Sequence, residues 1–311
     1  MMQDVATESQ FSSDPHVESR CQLSVVIPAF NEEAQIEAEL HGLHEILGAM
    51  GIRYEIIVVN DGSTDATAER AEAGGCQLLQ QRSNRGYGAA LKRGIAAAQS
   101  DLILITDADG TYPAQEIPKI WAEADHYDMV VGARIGADVQ VPFVRRPAKW
   151  FLRSLSSFLS GVKIPDLNSG LRLMRRAHVK RYERILPSGF SFTTTITLSL
   201  LCNDYTVGYV PINYRARVGQ SKIRPGHAWQ FLLLIVRAIV LFNPLRVFFP
   251  MGAVLFVAGA IKFAYDITQD NLSESAIMGL LGAVLVWSLG LLADQNTRLG
   301  LERKTWDSPN P

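Results

Sequence analysis

The chain has 311 residues, of which 48% are hydrophobic and 20% charged, and its formal net charge is −1. This size provides material for one large or two ordinary domains, and the near-neutral total argues against a nucleic-acid partner. The charge is nevertheless divided: residues 1–129 carry −13, residues 130–225 carry +12, and residues 226–311 carry 0. The three cysteines form no CxxC pair, so neither a disulfide framework nor a structural zinc site is indicated.

The first part of the chain alternates short apolar runs with helical patterns. Its first 20 residues are polar and predict a disordered tail. The apolar runs that follow cover residues 22–30, 54–60, 76–81 and 101–106. This order predicts an α/β domain over residues 21–225, with a mostly parallel sheet, helices on both faces and ligands at the carboxyl ends of the strands.

Three of these runs end in polar, acidic residues, PAFNEE, NDGSTD and DADGTYP. The first contains no GxGxxG turn, which excludes a dinucleotide-binding Rossmann domain. Asp107 and Asp109 are separated by one residue, so in an extended chain their side chains point to the same side. A cation or hydrogen-bond donors must then offset the repulsion between their negative charges. Oxygen ligands of this kind suit Mg²⁺ or Mn²⁺ shared with a diphosphate. The alternative is a helix cap, with Asp109 or Thr111 preceding a helix that begins near Pro113.

The last part of the chain has the pattern of a membrane hairpin. Residues 245–298 contain two apolar segments of membrane-spanning length, about 247–265 and 276–293. A pair of buried core helices is the alternative. Arginines flank the hairpin and acidic residues occupy its loop. Because positively charged flanks stay on the cytoplasmic side of a membrane, we expect the catalytic domain and both termini in the cytoplasm. The C-terminal cytoplasmic tail would cover residues 299–311. The apolar composition of residues 226–244, interrupted by Arg237, predicts an amphipathic helix that lies in the membrane surface. The alternative is a soluble helix packed on the domain.

Several motifs occur together in a specific order: PAFNEE, VVNDGSTD, NRGYGAALKRG, DADGTYP, NSGLRLMRR and YRARVGQSK. Over about residues 22–298 the chain thereby resembles a family 2 glycosyltransferase with the GT-A fold. With the terminal hairpin, it resembles the polyprenyl-phosphate glycosyltransferases of the dolichol-phosphate mannose synthase type. The resemblance implies transfer of a sugar from a UDP- or GDP-linked donor to dolichyl or undecaprenyl phosphate.

The resemblance also implies where the donor and a divalent cation bind. Asp109 is the first choice as metal ligand and Asp107 the second. At Thr111 the chain departs from many relatives, which have Gln there. The implied donor-binding residues are Pro28, Phe30 and Glu32 around the nucleoside, Asp61 at the base or ribose, and Asp107, Ala108, Asp109 and Thr111 at the phosphates.

The basic third of the chain suits two anionic substrates, because arginine grips phosphate with parallel hydrogen bonds and lysine supplies a point charge. Together with Asp107 and Asp109, Arg134 is predicted to be catalytic. The predicted acceptor- and phosphate-binding residues are Arg134, Arg145, Arg146, Ser169, Arg172, Arg217 and Lys222, with Arg215 and Arg224 as further candidates.

A phosphate acceptor simplifies the expected chemistry. A phosphate monoester has its second pKa near 6, so its oxygen is already an anionic nucleophile at pH 7 and needs no general base. We therefore expect a single displacement with inversion, in an enzyme capable of self-association through its hairpin. Two alternatives stay open. A processive polysaccharide synthase would need more spans and a QxxRW-type motif, and a non-catalytic membrane scaffold would not need the intact DAD sequence.

Overall fold

The computed structural model describes residues 21–135, 154, 157–158, 161–215, 244–269 and 273–306. The strands in these ranges form one seven-stranded sheet in the order β3-β2-β1-β4-β6-β5-β7. β6 is antiparallel to β4 and β5, and the other neighbouring strands are parallel. The strands are β1 (Leu23–Ala29), β2 (Tyr54–Asn60), β3 (Gln77–Gln80), β4 (Leu102–Ile105), β5 (Met129–Ala133), β6 (Arg172–Arg175) and β7 (Val207–Pro211).

Helices cover both faces of the sheet, which confirms the predicted α/β architecture. Alternate residues of β1 face opposite sides, so Val25 and Ile27 join the core beneath one layer of helices and Val26 joins the core beneath the other. The helices are α1 (Ile36–Ala49), α2 (Thr67–Ala73), α3 (Tyr87–Ala97), a 3₁₀ turn (Ala114–Glu116), α4 (Ile117–Trp121), α5 (Arg176–Tyr182) and α6 (Phe192–Leu201).

A crevice opens between the carboxyl ends of β1 and β4. β1 pairs with β2 along its whole length, but with β4 only from Ser24 to Val26. Pro28 lies beyond this last pairing with β4. Proline has no backbone N–H, and at this position the β1–β4 ladder does not require one. The crevice is the point at which the strand order changes direction, the position where open α/β sheets bind ligands.

The C-terminal part is a helical hairpin of α7 (Leu245–Thr268) and α8 (Glu274–Trp306). Both helices contain a stretch long and apolar enough to cross a membrane, and these stretches include the two predicted spans. A Cβ on Gly252 would clash with the indole of Trp287, and one on Gly259 would clash with the backbone of α8. Small residues therefore allow α7 and α8 to pack closely, as is common between helices in membranes.

Polar groups are placed at both ends of α7. Near its C-terminus, Lys262 donates to Asp266, which also accepts from the backbone N–H and the hydroxyl of Ser273 just before α8. At its start, Arg246 Nη1 donates to the carbonyl oxygen of Phe158 at 3.0 Å. This bond joins the hairpin to the remainder of the protein. The predicted tail over residues 1–20, and all of the predicted surface helix except Pro244, lie outside the described residues.

Candidate active site

Asp61, at the end of β2, is buried and organises the neighbouring turn. Its two carboxylate oxygens accept the backbone N–H groups of Arg85 and Gly86, each at 2.8 Å. The next residue, Gly62, has φ of +74°, and a Cβ there would lie 2.7–2.8 Å from the backbone of the strand β3 to helix α3 loop at Ser83 and Asn84. The end of β2 is thus fixed against the start of α3. A contact from Asp61 to the base or ribose stays a prediction.

The DAD sequence forms a tight turn directly after β4. Asp107 Oδ1 accepts a hydrogen bond from the Tyr87 hydroxyl at 3.0 Å. Asp109 Oδ1 accepts from both the backbone N–H and the hydroxyl of Thr111, at 3.1 and 2.6 Å. Ala108 is buried with its methyl group in the hydrophobic core, so only its backbone can face a donor. Thr111 thus orients Asp109 by bonding within the turn.

Glu39, in the first turn of α1, is a buried acid beside this DAD turn. One turn earlier, Gln35 Oε1 lies 3.2 Å from the Cβ position of Gly110. Burial, together with the charges of Asp109 and Asp107, raises the pKa of Glu39 to about 8, while the charge of Arg215 opposes the shift. The carboxyl groups of Glu39, Asp107 and Asp109 therefore lie near one another, and we call these three residues the acidic corner.

Arg134, directly after β5, is held by Asp166 in a two-pronged ion pair. Its Nε and Nη2 atoms donate to Asp166 Oδ2 and Oδ1 at 2.7 and 2.9 Å, and its backbone N–H donates to Oδ2 at 3.1 Å. The guanidinium also lies 5.2 Å from the centre of the Tyr214 ring. Despite its burial, the Asp166 carboxyl has its pKa lowered to about 2 by the hydrogen bonds and charge of Arg134. The pair fixes the orientation of the predicted catalytic arginine.

Gly170 and Tyr112 connect the acidic corner to Arg134. A Cβ on Gly170 would come within 2.5 Å of Asp107 Oδ2, so the glycine backbone packs directly on this carboxylate. The N–H of Gly170 donates to the Tyr112 hydroxyl at 2.6 Å. Tyr112 is buried close to the charges of both Arg134 and Asp107, and burial raises its pKa. The Ser169 hydroxyl, predicted to bind phosphate, is buried beside Tyr112.

Arg172 does not have the place that the sequence predicted. It is fully buried in β6, and its guanidinium donates to the carbonyl oxygens of Ser169 and Leu167, each at 2.7 Å, and to the Thr197 hydroxyl at 2.5 Å. The prediction of phosphate binding by Arg172 is wrong, because its donors are used inside the protein. Arg172 instead holds the 167–169 segment against α6.

The remaining predicted residues differ in how far the structure describes them. Pro28 and Phe30 are half-buried at the crevice, and the Glu32 N–H donates to Thr67 Oγ1 at 2.9 Å. Arg145, Arg146, Arg217, Lys222 and Arg224 lie outside the described residues, so their phosphate-binding roles stay predictions.

Sequence reasoning missed two charged residues of the site, Glu39 and Asp166. Asp166 had a usable signal, because it is one of only four acidic residues in the basic third and only Leu167 separates it from NSGLR. Glu39 had a weaker one, since it occupies the buried face of an amphipathic helix otherwise lined by Ile36, Leu40 and Leu43. A carboxyl on such a face is rare unless it has a partner.

The acidic corner suits a divalent cation that is shared with a substrate. Among the residues that the structure describes, no three Asp, Glu, His or Cys side chains converge closely enough to hold a metal ion by themselves. Mg²⁺ is commonly bound by one or two carboxylates together with substrate phosphates. Asp109 and Asp107 provide these carboxylates, and the buried Glu39 Oε1 atom has no hydrogen-bond partner among the described residues. The residues therefore fit a divalent cation whose coordination is completed by oxygen atoms of a substrate diphosphate.

Comparison with known proteins identifies the fold. The model of glycosyl transferase family 2 matches residues 24–183, and the GtrB C-terminal hairpin matches residues 243–299. The structure superimposes on glucosyl-3-phosphoglycerate synthase of Mycobacterium tuberculosis in complex with Mn²⁺, UDP and phosphoglyceric acid, with a TM-score of 0.59 and 22% identity over 71% of this chain and 79% of that one. The same enzyme was also crystallised with Mg²⁺ and UDP. The fold is that of GT-A glycosyltransferases.

Curated relatives give the same family. A dolichyl-phosphate hexose transferase of Haloferax volcanii is 34% identical over 206 residues, which are 65% of this chain and 87% of the relative. An undecaprenyl-phosphate 4-deoxy-4-formamido-L-arabinose transferase of Klebsiella pneumoniae is 34% identical over 160 residues, and the match spans about half of each protein. The chain belongs to glycosyl transferase family 2 and carries a GtrB-type hairpin.

Proposed function

We propose that the protein transfers a sugar from a nucleotide sugar to a polyprenyl phosphate at the membrane surface. The observation that carries this proposal is the junction at Gly170 and Tyr112, which places an acidic, metal-suited corner next to a fixed arginine. An activated sugar donor brings a diphosphate, and a polyprenyl phosphate brings a second anion. The hairpin supports a lipid acceptor, as do the names of the two curated relatives.

The donor lies in the crevice between β1 and β4, with its nucleoside beside Pro28 and Phe30. Its diphosphate approaches Asp107 and Asp109, which would hold Mg²⁺ or Mn²⁺. A cation held there would supply positive charge against the leaving nucleoside diphosphate. In the protein itself, Thr111 orients Asp109 and the Tyr87 hydroxyl donates to Asp107, so both carboxylates are positioned before the donor arrives.

The acceptor phosphate binds on the Arg134 side of Gly170. The Asp166 ion pair uses Nε and Nη2 of Arg134. The positive charge of Arg134 attracts the acceptor phosphate. Because the phosphate oxygen is already anionic at pH 7, it attacks the anomeric carbon without a general base and inverts it. The 189–195 stretch, GFSFTTT, contains no acid that would serve as a base. The enzyme contributes orientation and charge neutralisation.

The hairpin holds this crevice at the cytoplasmic surface. Arg246 precedes the first span, and the described part of the connecting segment carries no Lys or Arg, which is the charge pattern expected when both flanks are cytoplasmic. The bond from Arg246 to Phe158 links the start of the first span to the remainder of the protein.

The direct test incubates membranes containing the full chain with labelled UDP- and GDP-sugars and a short polyprenyl phosphate. We expect label in an acid-labile lipid, dependent on Mg²⁺ or Mn²⁺ and lost in Asp109→Asn. Label in a long polymer would instead identify a polysaccharide synthase. Absence of transfer from every donor would contradict the proposal and favour a non-catalytic membrane scaffold.

A further inference from the structure

Glu39 is a buried carboxyl group. No hydrogen bond to its Oε1 atom from the described residues offsets the free-energy cost of removing that atom from water. It is 8% exposed, and its Oε1 atom has no hydrogen-bond partner among the described residues. Its neighbours on the same face of α1, Ile36, Leu40 and Leu43, are all fully buried and apolar. A leucine would suit this face better, because an unsatisfied buried polar group destabilises a protein. The stability of α1 therefore does not explain the acid.

Helix geometry shows which part of the protein Glu39 faces. Gln35, four residues earlier on the same face, lies against Gly110, and the Cβ position of Gly42, three residues later, lies 3.8 Å from the Ala114 Cβ atom. Glu39 is between these two contacts, so it faces the turn that begins at Asp109. Its charge neighbours are Asp109, Asp107 and Arg215.

The charge of the nearby cation is not enough to offset the surroundings of Glu39. Arg215 is exposed to solvent, and against burial and the two aspartates its charge leaves the pKa of Glu39 at about 8. Asp109 and Asp107 carry negative charge in the same corner, so the ionised form of Glu39 is repelled there. A divalent cation with its bound water supplies both the positive charge and the hydrogen-bond donors that such a group lacks.

We propose that Glu39 is a positioning residue for the divalent cation, reached through a metal-bound water behind the DAD turn. The proposal rests on the metal corner of the proposed function. A water-mediated contact agrees with the absence, among the described residues, of three acidic, His or Cys side chains close enough to bind one ion directly. Carboxylates that orient a metal site in this way contribute about 10- to 100-fold to metal affinity.

The test measures Mn²⁺ binding to the full-length, detergent-solubilised protein by the electron paramagnetic resonance signal of free Mn²⁺, with UDP present and neither sugar donor nor lipid. We expect Glu39→Gln to weaken Mn²⁺ binding at least about tenfold. Glu37→Gln is the matched control, since Glu37 is exposed on the same helix and the side-chain substitution is the same. It should leave the affinity within twofold of wild type.

A second variant separates metal positioning from folding. Glu39→Leu fits the apolar face, so without metal its apparent unfolding midpoint should equal or exceed that of wild type, while the rise in midpoint produced by Mn²⁺ and UDP should shrink. Wild-type Mn²⁺ affinity in Glu39→Gln, or an undiminished midpoint rise in Glu39→Leu, overturns the proposal. Retained Mn²⁺ affinity in Asp109→Asn would instead refute the metal corner of the proposed function.

Discussion

The ion pair between Arg134 and Asp166 can be tested by Asp166→Asn, which keeps the shape of the side chain but removes its charge. In the folded protein the pKa of Asp166 is lowered from 3.8 to about 2. Because one pKa unit corresponds to about 1.4 kcal/mol, the ionised pair contributes about 2.5 kcal/mol to stability at neutral pH. Loss of one partner of a buried pair costs about 3–5 kcal/mol in other proteins, so about 2.5 kcal/mol is a lower bound.

We expect the apparent unfolding midpoint of Asp166→Asn to fall by about 5–10 °C at pH 7, given about 2–4 °C for each kcal/mol in a domain of this size. The folded-state pKa is lower than the unfolded-state value, so the stabilisation is present above about pH 4 and is lost as pH falls towards 2. The difference between wild type and variant should therefore narrow in acid. Asp125→Asn, on an exposed side chain, is the matched control.

The kinetic consequence of Asp166→Asn should be confined to one substrate. Without its carboxylate partner, Arg134 is no longer fixed toward the acceptor, and we expect KM for the polyprenyl phosphate to rise about tenfold, equivalent to about 1.4 kcal/mol. KM for the nucleotide sugar should stay within twofold. Initial rates with each substrate varied in turn measure both values. An equal rise in both, or an unchanged acceptor KM in a variant of lowered stability, would refute the assignment of Arg134 to the acceptor.

Two further substitutions test the acidic corner. Gly170→Ala places a methyl group within 2.5 Å of the Asp107 carboxylate. We expect the rate of sugar transfer to fall at least about a hundredfold, because a misplacement of about 1 Å can have this effect. Gly189→Ala is the control: no atom lies within 4 Å of the new methyl group, so this variant should retain wild-type rates in the same assay. Thr111→Val removes the hydroxyl donor to Asp109, and we expect the Mn²⁺ concentration for half-maximal transfer to rise about tenfold. A manganese titration with an unchanged midpoint would show that Thr111 does not orient the ligand.

The local sequence was sufficient for the first four strands of the sheet and for the polar residues that follow them. Each predicted strand from Gln22 to Thr106 agrees with an observed strand to within about one residue at either end, because apolar runs bounded by turn residues report strands directly. The two spans were likewise predictable from length and composition. These features depend on residues close together in the chain.

Contacts between distant residues were not predictable in the same way. The sequence shows that Arg172 is basic, but it does not show that β6 lies between β4 and β5, where the side chain is buried. Asp166 and Arg134 are 32 residues apart, and Glu39 is about 70 residues from the DAD turn. A single sequence does not reveal such pairs, because sheet order and side-chain burial arise only when the chain folds.

The antiparallel strand β6 has a consequence for how substrate preference can change. It is hydrogen-bonded to β4, which ends at the DAD turn, and to β5, which ends at Arg134. Under the proposed function, main-chain ladders consequently set the separation between the leaving group at the DAD turn and the nucleophile at Arg134. Substitutions elsewhere that alter the preference for sugar or lipid would then accumulate while the reacting atoms keep their mutual spacing. One scaffold can in this way serve different donors and acceptors without redesign of its reaction geometry.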